Sequence, residues 1–252
     1  MSLTITGART ELGRLLVQHQ TRSAVHINVA GQQANTLLHD GHAWKDFARS
    51  ARAGLQRAMR TDAGLLVHAS CAFVLADPPK DPLRSLAQTI VELEQQVLSG
   101  PVPAVVVRLG YHYGPGSRDL RAYRTAFRLR RPYWAGQRRA GQYLLHHDDA
   151  IAALLAAARK KHAGQRFYAT GGVPMPFMQF MDHFARGVGT RYPLHVPLLA
   201  APLMQLIVRR EHVQQTALAM PVQTPAPQLP GWTPRWTDHL AAVDDIIAGW
   251  RR

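Results

Sequence analysis

The chain has one cysteine, Cys71, in 252 residues. That excludes an internal disulfide framework and a multi-cysteine metal site, and it points to a reducing, cytoplasmic compartment. Long apolar runs are also missing. The most apolar stretch, 197–208, covers 12 residues and contains proline, well short of the roughly 20 needed to cross a bilayer. Arg9 and Glu11 precede any such run, so no signal peptide is expected. Acidic residues are scarce, 16 against 30 Lys plus Arg, and the formal net charge of +14 favours anionic partners. Tyrosine is absent before Tyr111, and Lys80 is the only lysine between Ser70 and Gly110. With 46% hydrophobic and 18% charged residues, the composition is that of a folded globule, not a disordered chain.

What is present alternates. Short apolar runs at 3–6, 24–29, 64–69, 104–109 and 166–169 are each followed by a helical pattern, at 11–19, 43–59, 85–98, 119–128 and 149–161. This predicts an α/β fold, a parallel sheet built from strand-helix-strand units. From Pro174 the pattern changes to a helix over 177–187, a proline-punctuated stretch and a last helix over 238–250. The expected division is therefore 1–172 for the sheet-bearing unit and 173–252 for a small, mostly helical lobe packed on it.

The positive charge is concentrated. Between Arg118 and Arg139 stand eight arginines against one acid, Asp119, interleaved with Tyr123, Phe127, Tyr133 and Trp134. Such a segment suits phosphate groups, whether of nucleic acid or of a small molecule; Arg118, Arg128 and Arg131 are the anion candidates. A solvated arginine-rich helix face is the plainer alternative.

Five islands in order carry a resemblance. They are Thr6-Gly7-Ala8-Arg9-Thr10-Glu11-Leu12-Gly13, Leu65-Leu66-Val67-His68-Ala69-Ser70, Arg108-Leu109-Gly110-Tyr111-His112-Tyr113-Gly114-Pro115-Gly116, His146-His147-Asp148-Asp149-Ala150 and Leu229-Pro230-Gly231-Trp232-Thr233-Pro234. Together the chain resembles the extended short-chain dehydrogenase/reductases, the NAD-dependent epimerase/dehydratase group. The resemblance implies a Rossmann-like, doubly wound parallel sheet with NAD or NADP held by Gly7, Arg9, Thr10, Leu12, Gly13, Ala30, Ser70 and Tyr113. It also implies an active-site serine at Ser70 and dimers formed through the helices at 43–59 and 85–98. In family members that use nucleotide sugars, the region of Arg118 to Arg139 meets substrate phosphates, which makes an anionic small molecule a more economical partner than nucleic acid.

The departures are as informative. Where the family carries Tyr-x-x-x-Lys, this chain reads Leu83-Arg84-Ser85-Leu86-Ala87-Gln88-Thr89-Ile90. Val25-His26-Ile27-Asn28-Val29-Ala30-Gly31 resembles the family's fourth strand, so the second and third strands are read as missing. In a 3-2-1-4-5-6 sheet that leaves 1–6 as an exposed edge and removes the strand whose acid or arginine would meet the adenosine ribose. Thr10 replaces the middle glycine of the phosphate turn, and Glu11 brings a negative charge beside it.

Without the tyrosine and lysine, proton exchange with a substrate hydroxyl loses about 10² to 10⁴ in rate. Ser70, His68 and Tyr113 are the candidate substitutes, with Cys71 and Tyr111 nearby; strand alternation gives His68 the same face as Ser70. The run His146-His147-Asp148-Asp149 is read as no metal site, because adjacent side chains at a strand-to-helix junction diverge, with Asp148 as the helix N-cap. The leading expectation is a degenerate, non-catalytic homologue that binds a dinucleotide or another anion. The alternatives are a divergent NAD(P)-dependent oxidoreductase or epimerase and, third, nucleic-acid binding through the arginine segment.

Overall fold

A computed structural model of the chain describes residues 3–19, 24–32, 44–77, 80–134, 136, 140–200, 202–203, 218, 220–221 and 225–251. Arg138 and Arg139 of the arginine segment lie outside these.

Five strands form one parallel sheet: β1 (Leu3–Thr6), β2 (Val25–Asn28), β3 (Leu65–Cys71), β4 (Ala104–Leu109) and β8 (Arg166–Ala169), ordered β1-β2-β3-β4-β8. The register runs Leu3 to Val25, Val25 to Leu65, Leu66 to Ala104 and Val106 to Arg166. All five strands coincide with the apolar runs to within two residues. β1 is the sheet's edge, so the expected shortened doubly wound sheet is the observed one.

β2 and β3 are buried along their whole length, as strands covered by helices on both faces must be. On one face α2 (Trp44–Ala58) and α3 (Leu83–Leu98) pack Leu55, Leu86 and Ile90 against Leu66 and Val106. On the other, α1 (Glu11–Leu16) and α5 (His147–Ala157) pack Leu12, Leu16, Ile151 and Leu154 against Ile27, Val67 and Val105. The period of two in β3 thus sends Leu65, Val67 and Ala69 to the second face, and Leu66, His68 and Ser70 to the first.

A third core joins the two expected divisions. β5 (Tyr111–Tyr113) and α4 (Arg118–Arg128) contribute Tyr111, Tyr113, Tyr123 and Phe127; α6 (Phe177–Gly187) and α7 (His239–Gly249) contribute Phe180, Phe184, Val243 and Ile246. β5 pairs in parallel with β7 (Leu144–His146), and β6 (Gly141–Gln142) pairs with β9 (Met175–Pro176). Two or three residues are too short to show a strand period, so these four were not legible as strands.

Helix boundaries need correction in α1 and at both ends of α5, which closes at Ala157, four residues before the expected 161. α1 stops at Leu16, short of His19. α5 begins at His147, and its N-cap is His146, whose Nδ1 accepts from the Asp148 amide at 3.2 Å; Asp148, the expected cap, has a mostly exposed side chain. An imidazole nitrogen can fill the capping role of a side-chain oxygen when the preceding strand already fixes its direction. Among the described residues, no helix is long and apolar enough to cross a membrane.

Candidate functional site

The ends of β1, β2, β3 and β4 converge on the cleft where a doubly wound sheet places its ligand. The first wall is the turn after β1. Gly7 adopts φ +89°, and a Cβ there would stand 2.7 Å from the Ala30 amide nitrogen. Gly13 is equally constrained, since its Cβ would meet the Gly7 carbonyl oxygen at 2.1 Å. Both glycines therefore hold α1 hard against the β1 turn and β2, with Leu12 fully buried beneath.

Thr10 closes this turn on itself. Its hydroxyl accepts from the Gly13 amide at 3.0 Å and donates to the Gly7 carbonyl at 2.7 Å. The helix start is thereby capped by the protein's own oxygen. Glu11 follows, its Oε1 accepting from the Arg118 amide at 2.7 Å. Burial alone would raise the Glu11 pKa, but the His147 imidazole 3.4 Å from Oε2, the hydrogen bond from the Arg118 amide and the field of His112 hold it below the usual carboxylate range. Arg9 points outward and is exposed.

The second wall carries Ser70 and His68, which line one small cleft with Ala30, Gln32, Cys71 and Leu93. Ser70 does not face this cleft with a spare hydroxyl proton. It donates at 2.5 Å to Oε1 of Glu94, a fully buried carboxylate on α3. Arg108 grips both oxygens of Glu94, at 2.8 and 2.7 Å, and donates to the Tyr168 hydroxyl at 2.6 Å; Arg166 Nε stands 2.7 Å from Oε2. Ser70 is thus one member of a buried ionic network. Ser70→Ala is expected to destabilise the protein by about 1.5 to 3 kcal/mol, the range for a hydrogen bond to a charged group, as read from urea denaturation midpoints.

His68 is fully buried. Asn28 Nδ2 donates to its Nδ1 at 3.0 Å, and burial depresses its pKa to about 4, with the field of Glu94 pulling the other way. It is neutral at pH 7 with its basic nitrogen already bonded. Burial also pushes the Cys71 thiol far up, which leaves it no thiolate character. Along 83–90 the buried residues are Leu83, Leu86, Ala87, Thr89 and Ile90. This stretch of α3 is thus apolar packing with one buried hydroxyl, that of Thr89.

Tyr113 is not brought to Ser70. It lies in the third core, its hydroxyl 2.9 Å from His239 Nδ1 and its ring edge-on to Phe180, and burial raises its pKa far above the ordinary tyrosine value. Tyr111 is likewise buried and raised. The fourth island is tied to the chain just after the fifth: Asp149 accepts the amides of Arg235 and Trp236 at 2.8 and 2.9 Å, fixing the turn after Trp232 to α5. The anion candidates do not converge. Arg118 and Arg128 are the first and last residues of α4, about 15 Å apart at 1.5 Å per residue, and both are exposed, as is Arg131. Sequence reading missed Glu94 and His112; no local pattern marks either.

The sheet order, the glycine turn and the cleft define the Rossmann-like fold of the NAD-dependent epimerases and related short-chain dehydrogenase/reductases. The human epimerase family protein SDR39U1, solved with NADPH, superposes with a TM-score of 0.77 at 16% identity, covering 98% of this chain and 99% of that one. UDP-glucose 4-epimerase from Thermotoga maritima, solved with UDP-glucose, gives 0.70 at 12% identity over 100% and 99%. RMD from Pseudomonas aeruginosa, complexed with NADPH, gives 0.64 at 16% over 98% and 98%. In sequence, the 3-diazoavenalumate denitrifying reductase of a Streptomyces species is 32% identical over 134 residues, 52% of this chain. The matched stretch spans 43% of that reductase's length. No family model matches the chain.

Proposed function

We propose that this protein is an extended short-chain dehydrogenase/reductase homologue that no longer runs the family's alcohol-carbonyl chemistry and instead binds an anionic small molecule in the cleft at the ends of β1 to β4. The observation that carries the reading is the bond from Ser70 to Glu94. A serine committed to a buried carboxylate, itself held by Arg108 and Arg166, is not available to orient a substrate hydroxyl. The apolar face of α3 at 83–90 supplies no replacement acid.

A dinucleotide fits the cleft in part. Backbone glycines of the right conformation remain at Gly7 and Gly13, but Thr10 and Glu11 occupy the helix start with their own hydrogen bonds. No strand lies outside β1 among the described residues to meet the adenosine. The exposed arginines of α4 supply positive field for an anion, and α2 with α3 supply the faces through which two copies would pair.

Thermal shift with NADH, NADPH and UDP-glucose tests this directly. Stabilisation by UDP-glucose without turnover of nicotinamide is the expected result; a ligand at 100 times its Kd stabilises by about 2.7 kcal/mol. Saturable micromolar binding of NADPH with steady oxidation on carbonyl substrates would overturn the reading.

A second reading rests on the reductase match. An aryl diazonium group takes one hydride, forms a C–H bond and releases N2 as its C–N bond breaks, a balance that needs no proton from the family's tyrosine. Under this reading NADPH binds despite the lost adenosine contacts and is oxidised by diazo compounds but not by ketones.

A further inference from the structure

A second constellation, which the fold alone does not call for, stands where the starts of α1 and α5 meet β5. Among the described residues one set of three side chains has metal-ligand chemistry and spacing: Glu11 at the start of α1, His112 in β5 and His147 at the start of α5. We propose that Glu11, His112 and His147 form a binding site for a divalent ion of the zinc class.

The distances carry the argument. His147 Nε2 lies 3.3 Å from His112 Nδ1 and 3.4 Å from Glu11 Oε2, and the three donor atoms are all within 4.8 Å of one another. Ligands about 2.0 to 2.1 Å from a tetrahedral zinc are separated by roughly 3.3 to 3.5 Å, so two edges of the polyhedron are already formed. The third closes with a small rotation of the Glu11 carboxylate.

Orientation supports the same assignment. His112 Nε2 faces the Gln32 carbonyl at 3.2 Å; donating its proton there leaves the Nδ1 lone pair aimed into the cluster, the arrangement that metal-binding histidines characteristically show. Glu11 Oε1 is held by the Arg118 amide, whereas Oε2 is buried and makes no hydrogen bond of good geometry. Gly114 makes room for the His147 ring, since a Cβ there would stand 2.5 Å from its Nδ1.

Hydrogen bonding within the cluster does not satisfy it. One proton on His147 Nε2 points either at Glu11 or at His112, and whichever is left keeps a buried lone pair without a donor. A cation meets all three lone pairs at once. Two neutral imidazoles and one carboxylate also leave a bound divalent ion with net positive charge, which suits an anion or water as the fourth ligand. The site stands independently of whether a dinucleotide binds.

The test uses the untagged, metal-stripped full chain titrated with Zn²⁺ and with Co²⁺. One equivalent is expected to bind, and cobalt is expected to show the intense visible bands of a tetrahedral site. Glu11→Gln and His147→Gln are each expected to weaken binding more than about 100-fold, beyond the loss typical of outer contacts. His195→Gln, altering a pair with Asp182 elsewhere on the molecule, is expected to leave binding unchanged. Absence of stoichiometric binding, or affinity unaltered in both site variants, overturns the proposal. Should a variant fail to fold by circular dichroism, the wild-type cobalt spectrum decides: octahedral bands alone overturn it.

Discussion

Acidification from pH 6.5 towards 4 is expected to unfold the protein steeply. His68 and His239 are held neutral with pKa values of about 4, and His112 at about 3, in each case chiefly because burial penalises the charged ring. In the unfolded chain the same rings take protons near 6.5. Their folded values are depressed, so the stability they contribute is complete above 6.5 and is lost as pH falls through that value towards the folded ones. Around pH 5 the unfolded state binds up to three more protons than the folded state at these sites, which makes the loss about 4 kcal/mol per pH unit. Against a total stability of roughly 5 to 15 kcal/mol, one to three units suffice. Guanidinium denaturation at half-unit steps from pH 7.5 to 4 checks this. A flat stability profile between 6.5 and 5 would sink it.

Glu94→Gln is expected to be the most damaging single substitution outside the apolar core. It would leave Arg108 and Arg166, with side chains only 12% and 32% exposed, without their shared counter-charge. Removing one partner of a buried ion pair costs about 3 to 5 kcal/mol. For a chain of this size each kcal/mol moves Tm by about 2 to 4 °C, so a fall of roughly 6 to 20 °C is expected by calorimetry. The built-in control is two residues away: Glu92 faces Arg52 at 3.7 Å, with both side chains more than half exposed. Such a pair is worth about 0 to 1 kcal/mol, and Glu92→Gln should barely register. Equal effects of the two substitutions would mean that Glu94 is not the anchor described.

The contrast between these glutamates also shows where the sequence stops speaking. On α3 both look like ordinary charges on an amphipathic helix; only the sheet behind Glu94 and the arginines on β4 and β8 make it a buried hub. The strands were legible because Val, Ile and Leu runs bounded by turn residues have few other uses. The edge position of β1 was legible because spacing left no room for two more units. By contrast, the Glu11, His112 and His147 grouping draws on three elements. His112 and His147 stand 35 residues apart, and no local periodicity records a contact of that range. The same holds for Tyr113, which the motif places beside a cofactor and the packing of α6 and α7 draws into the third core.

The shortened sheet has a further consequence, for the order in which the chain can assemble. Leu3 meets Val25 in the first strand pair. Bringing two points of a flexible chain together becomes harder with the logarithm of the length between them, about 0.6 kcal/mol for each doubling. A chain that carried two additional strand-helix units between these strands, a loop roughly four times longer, would face about 1.2 kcal/mol more closure entropy at this step. With no further strand-helix unit between β1 and β2, the N-terminal pair is the most local pairing in the parallel sheet and the natural early step in its folding.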